Sequence, residues 1–163
     1  MTFRLDNQFI KPLDLTIIES NYGSRPQVHP PDPNFLIHLR EDGLRRLISD
    51  HYDLLVQSNI KNMFPQNEEE LKKAKKHAAD FFIQICGGHP YFNENHGKPM
   101  LSIRHQPFRI DANARKIWLQ CYQKILPDLP VPAAYIQSFW DYLHVFSLWM
   151  INTPENHPMN NVV

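Results

Sequence analysis

The sequence has few cysteines, no excess charge of either sign and no long apolar run. Its 163 residues include two cysteines, Cys86 and Cys121, which are too few for a disulfide framework and are expected to be reduced. Seventeen basic and seventeen acidic side chains cancel, which argues against a nucleic-acid or anionic-membrane partner. No apolar run approaches the roughly 20 residues that cross a bilayer, and the first residues lack a signal-peptide pattern. We therefore expect a cytoplasmic protein that binds neither nucleic acid nor membrane.

Proline is concentrated at the amino-terminal end of the chain. Residues 1–34 contain five prolines and little helical periodicity, which predicts an extended arm. Apolar residues within this arm, such as Leu15 and Ile18, suggest that it lies on the globular body. Residues 35–163 are long enough for one further domain with a single core.

The sequence after the arm predicts amphipathic helices. Apolar residues recur at helical spacing in four stretches, at about 34–58, 67–86, 111–126 and 132–152. Asn67 and Asp111 are predicted N-caps, and Gly87-Gly88 is predicted to end the second helix. No stretch predicts a strand, so the fold class is all-α.

Two features interrupt this helical pattern. Gly43 lies within the first helix and is expected to mark a bend. Residues 89–99 are rich in proline, glycine and asparagine and predict a long loop. A short helix from Met100 to His105 should follow, because Pro107 prevents its continuation.

Histidine is the side chain that offers most chemistry here. None of the nine histidines has the His-Glu-x-x-His zinc spacing, and there is no Cys-x-x-Cys. His51 and His77 could face the core, where a histidine is often an ordinary core residue. His105 differs because it lies at the end of a short helix, with Leu101 one turn before it. From these patterns alone, an iron ligand and a core histidine are equally supported at position 105.

A series of motifs around His105 resembles the second group of the truncated haemoglobins. They are Gly87-Gly88, Phe92-Asn93-Glu94, Gly97-Lys98-Pro99-Met100-Leu101, Arg104-His105-Gln106-Pro107-Phe108-Arg109-Ile110, Arg115 and Trp118-Leu119. The resemblance covers about residues 42–152, and Tyr142-Leu143 and Asn152 fit its last helix. It implies a globin-like, truncated two-over-two helical sandwich around a b-type haem, here with an N-terminal extension.

The resemblance also implies roles for individual residues. His105 matches the proximal ligand of the iron, and Tyr52 and Trp118 match donors that hold a ligand on the distal side. His77 should lie at the haem edge and meet a propionate, although ligation of the iron by His77 stays open. The haem contacts that the resemblance implies, besides His105 and Trp118, are Phe64, Ala74, His77, Ala78, Phe81, Leu101, Arg104 and Met150.

The chain departs from the family pattern at a few positions. Phe64 stands where some relatives have tyrosine, and Ala78 is smaller than the usual aliphatic residue, which predicts a wider pocket. His96 and Lys98 replace the Arg and His of an Arg-Gly-His-Pro motif, and His89 is inserted after Gly-Gly. The contacts at this edge of the haem therefore stay open.

Three classes of function follow from the sequence. The first is a haem globin that binds dioxygen or another diatomic ligand at ferrous iron, with nitric-oxide or peroxide chemistry, a reductase and a second copy of the chain left open. The second is a non-haem helical metal enzyme that uses His51, His77 and His105. The third is a helical interaction module without a cofactor. An absorption spectrum distinguishes them, because only haem gives an intense band in the violet.

Overall fold

The computed structural model describes residues 12–20 and 22–154. Over these ranges the chain is helical and contains no strand, as predicted. The α-helices are α1 (Pro33–Leu55), α2 (Glu68–Ile85), α3 (Tyr91–His96), α4 (Leu101–Arg104), α5 (Ala112–Ile125) and α6 (Ala133–Met150). Two short 3₁₀ helices, Lys61–Met63 and Leu126–Asp128, lie between them. No helix in the described part is long and apolar enough to span a membrane. The predictions for residues 1–11, 21 and 155–163 lie outside the described residues.

Side-chain caps fix where two of the long helices begin. The Asn67 side chain accepts a hydrogen bond from the backbone N–H of Glu70 at 3.1 Å, at the start of α2. The Asp111 side chain accepts one from the N–H of Ala114 at 2.8 Å, at the start of α5. Each cap satisfies a backbone donor that has no partner within the helix. Both predicted N-caps are confirmed.

Glycine ends α2 for two separate reasons. Gly87 has a φ of +92°, in the left-handed region that favours glycine. The N–H of Gly88 donates to the carbonyl of Ile83 at 2.9 Å and so closes the helix end. A Cβ on Gly88 would lie 2.9 Å from the backbone carbonyl oxygen of Ile83, so a larger residue would force this helix end to shift.

The bend in α1 lies at Arg40, so the prediction of a bend at Gly43 was wrong. Arg40 has φ 68° and ψ 167°, while the helix continues through Gly43. A Cβ on Gly43 would lie 2.9 Å from Cγ of Leu39. Because the chain turns at Arg40, the Leu39 side chain folds back over the next turn. Gly43 therefore provides space for Leu39 and does not bend the helix.

Residues 89–99 contain a helix, so the prediction of a continuous loop was also wrong. In α3 the N–H of Glu94 donates to the Pro90 carbonyl at 3.1 Å, and that of Gly97 donates to the Asn93 carbonyl at 3.0 Å. Phe92 is buried in the core, and this burial stabilises a helix too short to form alone. The proline, glycine and asparagine residues of this stretch predict a loop and give no indication of that tertiary contact.

The core joins α1 to every other long helix. Helix α1 packs against α2, α5 and α6, and α5 packs against α6. The rings of Phe35 and Phe139 stack with centroids 4.4 Å apart, between α1 and α6. The fully buried large side chains that fill this core include Leu44, Ile48, Ile83, Leu119, Tyr122, Trp140 and Leu143.

A buried carboxylate connects α1 to α2. Asp80 accepts from Arg45 at 2.9 Å and from Lys76 at 3.2 Å, and its side chain is 1% exposed. Burial raises the pKa of Asp80, but the hydrogen bonds from Arg45 and Lys76 outweigh burial and hold the pKa below its usual value. A buried charge of this kind persists only when paired. The pairing therefore fixes the relative position of the two helices that carry Tyr52 and His77.

The described part of the arm is extended and lies against α5 and α6. Arg115 Nη1 donates to the Ile18 carbonyl at 2.9 Å, and the Ile18 N–H donates to His144 Nε2 at 2.9 Å. Further along, Gln123 Nε2 donates to the Leu15 carbonyl at 2.6 Å. Side chains of the helices thus satisfy the backbone of the arm, as strand neighbours would in a sheet.

Contact between the arm and α6 should depend on pH through His144. Its Nε2 accepts from the Ile18 N–H, so the ring must be neutral. Burial lowers the pKa of His144, Arg115 lowers it further, and Asp141 raises it. Because this pKa lies below the ordinary 6.5, the contact contributes stability above pH 6.5 that is lost as the pH falls through the lowered pKa.

We predict that the Ile18 amide loses several-fold of its hydrogen-exchange protection between pH 7.5 and pH 5, after correction for intrinsic exchange. His144→Gln should keep its protection at both pH values, because glutamine offers a carbonyl acceptor that does not titrate. His38→Gln, at an exposed histidine of α1, is the matched control. Equal protection of Ile18 at both pH values in the unsubstituted protein would show that His144 does not hold the arm.

Candidate functional site

The helices surround a cavity of about 470 Å³. This volume lies within the roughly 300–1,000 Å³ typical of small-molecule and cofactor sites. Apolar and aromatic side chains form most of its lining. All of the residues that the sequence associated with haem or its ligand line this cavity: Tyr52, Phe64, Ala74, His77, Ala78, Phe81, Leu101, Arg104, His105, Trp118 and Met150. The fold therefore gathers side chains that are up to about a hundred residues apart in the sequence.

His105 lies at the C-terminal end of α4, with its ring orientation fixed. Its Nδ1 is 2.7 Å from the carbonyl oxygen of Leu101. A carbonyl can only accept, so Nδ1 carries the proton and Nε2 keeps its lone pair. This arrangement is typical of metal-binding histidines, in which the second ring nitrogen donates to an oriented acceptor. His105 can therefore offer Nε2 as a neutral ligand in the cavity.

Asn152 holds the segment that carries His105. Its Nδ2 donates to the carbonyls of His105 at 3.1 Å and Phe108 at 2.9 Å, and its Oδ1 accepts from the Ile110 N–H at 2.9 Å. These bonds connect the end of α6 to the turn after α4. The short helix α4 thus receives its position from a residue more than forty places along the chain.

Two aromatic donors line the cavity from different helices. Tyr52 lies on α1 with its ring edge-on to Phe64, at a centroid distance of 5.6 Å. Burial raises the pKa of Tyr52 to about 12, so its hydroxyl keeps its proton at neutral pH and remains a donor. Trp118 lies on α5 and packs edge-on to Tyr122 at 5.0 Å. An indole N–H can only donate.

His51 is a core residue that supports Trp118. Its Nε2 donates to the Trp118 carbonyl at 3.0 Å, and its ring stacks on Tyr122 with centroids 3.5 Å apart. Burial lowers the pKa of His51 to about 3, so the ring is neutral. No three His, Cys, Asp or Glu side chains of residues 12–20 and 22–154 converge as a metal site. The hypothesised site of His51, His77 and His105 is therefore not formed.

Arg104 holds the loop that precedes α4. Its Nε donates to the Pro99 carbonyl at 2.6 Å, and its Nη2 donates to the carbonyls of His96 at 2.7 Å and Lys98 at 3.0 Å. The guanidinium also lies over the ring of Phe92 at 5.1 Å. The resemblance placed Arg104 among the contacts of the haem. Most of its donors instead satisfy this loop.

Two polar residues of the cavity wall were named in the sequence analysis without a role. His96 lies against His77, with ring centroids 4.1 Å apart, and its Nε2 is buried without a hydrogen-bond partner among the described residues. Arg115 is buried and donates to the Ser147 hydroxyl at 2.9 Å as well as to the arm. Both residues belong to motifs of the resemblance, but only their three-dimensional neighbours reveal these roles. Tyr122, within the helical stretch predicted at about 111–126, also borders the cavity.

Comparison with known proteins identifies the family. The sequence model described as bacterial-like globin matches residues 39–152, more than two thirds of the chain. The group 2 truncated hemoglobin YjbI of Bacillus subtilis is 28% identical over 116 residues, which cover 71% of this chain and 86% of that protein.

Solved structures show the same similarity. The crystal structure of phosphate-bound Hell's gate globin IV is 33% identical, with a TM-score of 0.76 over 90% of this chain and 96% of that one. The truncated oxygen-avid haemoglobin of Bacillus subtilis is 26% identical, with a TM-score of 0.64 over 73% of this chain and 99% of that one. These matches confirm the all-helical truncated-globin fold and the resemblance to the second group of truncated haemoglobins. The chain belongs to the bacterial-like globin family.

Proposed function

We propose that this chain is a haem globin that holds a b-type haem in the 470 Å³ cavity, with the iron on His105. The family and the fold support a haem-binding globin. One observation carries the choice of ligand: in the neutral ring of His105, which lines the cavity, the Leu101 carbonyl fixes the proton on Nδ1 and leaves the lone pair of Nε2 for a metal.

The lining fits both parts of a haem. The macrocycle is apolar, and Phe81, Leu101 and Met150 offer it apolar contacts. The propionates are carboxylates, and the orphaned Nε2 of His96 beside His77 offers them a polar edge. We place Phe64, Ala74 and Ala78 as further contacts of the macrocycle.

Tyr52 and Trp118 are the residues that we propose face a diatomic ligand. Ferrous haem, when bound, supplies a site for ligands such as dioxygen. The hydroxyl of Tyr52 and the indole N–H of Trp118 can donate to such a ligand, in surroundings that strengthen hydrogen bonds because the lining is mostly apolar. The oxygen avidity named for the Bacillus subtilis relative supports dioxygen as the ligand.

Enzymatic turnover is a second possibility within the same site. Reaction with nitric oxide or peroxide at the iron needs a supply of electrons, so a reductase is the partner that we propose for that case. Binding of a diatomic ligand needs neither a reductase nor assembly of several copies. Cys86 and Cys121 are both buried and unbonded, which fits our placement of the protein in the cytoplasm, where thiols remain reduced.

His105→Gly should abolish the proximal bond to the iron. We predict that the ferrous spectrum of the haem-loaded variant changes and that haem affinity falls at least about tenfold, and that added imidazole restores the spectrum. His89→Gly, at an exposed histidine that bonds to Glu94, is the control. A ferrous spectrum that His105→Gly leaves unchanged would rule out His105 as the ligand. Absence of any haem band in the unsubstituted protein would favour an interaction module without a cofactor.

Removal of either donor should speed the release of dioxygen. Tyr52→Phe nearly keeps the volume of the side chain and Trp118→Phe keeps an aromatic ring, and each change deletes one hydrogen-bond donor. A hydrogen bond to a charged acceptor contributes about 1.5–3 kcal/mol, so each change should raise the release rate roughly 10- to 100-fold. The double variant should be non-additive because both donors share one acceptor. Tyr135→Phe, on α6 and outside the cavity lining, is the control. Stopped-flow rates within twofold of the unsubstituted protein for both single variants would contradict this assignment.

The sixth position of the iron should be open or held by water. His77 is exposed, and its ring lies against His96, which favours a place at the haem edge. We predict a high-spin spectrum for the ferrous protein without added ligand, with no change in spin state for His77→Ala. A low-spin, six-coordinate spectrum that becomes high-spin in His77→Ala would show that His77 binds the iron.

A further inference from the structure

Two histidines meet where the cavity reaches solvent. His77 on α2 is exposed and also lines the cavity, and the ring of His96 lies 4.1 Å from it, centroid to centroid. Phe92 packs against the His96 ring at 4.9 Å. Nε2 of His96 is the buried side-chain atom of the described residues that has no hydrogen-bond partner. A buried polar atom is costly without a partner, so a ligand that enters the cavity should supply one.

The basic side chains beside this pair make contacts of their own. Arg104 donates to three loop carbonyls through Nε and Nη2. Lys76 pairs with Asp80 at 3.2 Å, and Asp80 pairs in turn with Arg45. The His96 imidazole makes no such bond among the described residues and, with His77 against it, is left to meet an anion at this edge.

The surroundings oppose protonation of His77 until an anion arrives. Burial lowers the pKa of His77, and His96, Lys76 and Arg104 lower it further, while Asp80 raises it. A negative charge placed beside the rings would act in the opposite direction and favour the protonated form. Binding of an anion and uptake of a proton are therefore linked, and each strengthens the other by the same factor.

We propose that His77 and His96 form a proton-linked carboxylate site, in which the pair takes up one proton when a haem propionate binds against it. Haem is then held more tightly at pH 6 than at pH 8. The proton shared by the two imidazoles supplies the positive charge that an arginine would carry permanently. This inference rests on the proposed function, because the haem delivers the carboxylate.

The rate of haem release from the full-length haem-loaded protein tests this site. Release is measured as transfer to an excess of apomyoglobin between pH 6 and pH 8. One linked proton changes affinity by at most about tenfold per pH unit, so we expect release to be about three- to tenfold slower at pH 6 than at pH 8. His77→Gln and His96→Gln should each reduce this pH dependence to within twofold, because glutamine keeps a polar group that does not titrate.

Two controls separate the pair from other titrating groups. His89→Gln, whose histidine is exposed and bonded to Glu94, should keep the pH dependence of the unsubstituted protein. When both propionates of the haem are esterified, the pH dependence of its release should disappear without any substitution in the protein. An NMR titration with diamagnetic zinc protoporphyrin should show the pKa of the His77 or His96 ring rising when the porphyrin binds.

Several results would overturn this inference. Release that is equally fast at pH 6 and pH 8, or a pH dependence that survives esterification, would exclude a carboxylate on the pair. A dependence that returns with esterified haem only after addition of inorganic phosphate would assign the pair to free anions. A protein that binds haem and gives any of these results refutes only the carboxylate site, whereas a protein that binds no haem refutes the proposed function.

Discussion

The site depends on the hydrogen bond from Nδ1 of His105 to the Leu101 carbonyl, at 2.7 Å. That bond decides which ring nitrogen carries the proton and therefore which one can bind a metal. It forms within α4, a helix of four residues that is too short to be stable alone. The position of His105 therefore depends on contacts beyond this helix. Asn152 at the end of α6 bonds to the His105 carbonyl, and Arg104 bonds to the preceding loop.

The titratable side chains inside the cavity keep one protonation state, whereas we propose that the histidine pair at its edge changes its state. Burial holds His51 neutral, with a pKa of about 3, and holds the Tyr52 hydroxyl protonated, with a pKa of about 12. The hydrogen-bond donors near the proposed ligand thus stay the same across the physiological pH range. His77 and His96, by contrast, lie at the edge of the cavity, where we propose that they take up a proton with the haem propionate. Under this proposal, retention of the haem depends on pH, whereas the hydrogen bonds to a diatomic ligand do not.

Local signals predicted the parts of the structure that local interactions determine. The caps at Asn67 and Asp111 and the glycine end of α2 needed only neighbouring residues, and the motif around His105 led to the family. The bend at Arg40 and the helix α3 depend on tertiary packing, which composition does not reveal. The role of Arg115 was hidden for the same reason, since one of its acceptors, the Ile18 carbonyl, lies 97 residues away in the sequence.

A crystal structure of the protein reconstituted with haem is the most direct test of whether His105 holds the iron. We predict haem in the cavity, the iron on Nε2 of His105, and the Nδ1 bond to the Leu101 carbonyl retained. Tyr52 and Trp118 should lie on the haem face opposite His105. Iron bound to another side chain, or haem bound outside this cavity, would contradict the assignment of His105 as the iron ligand.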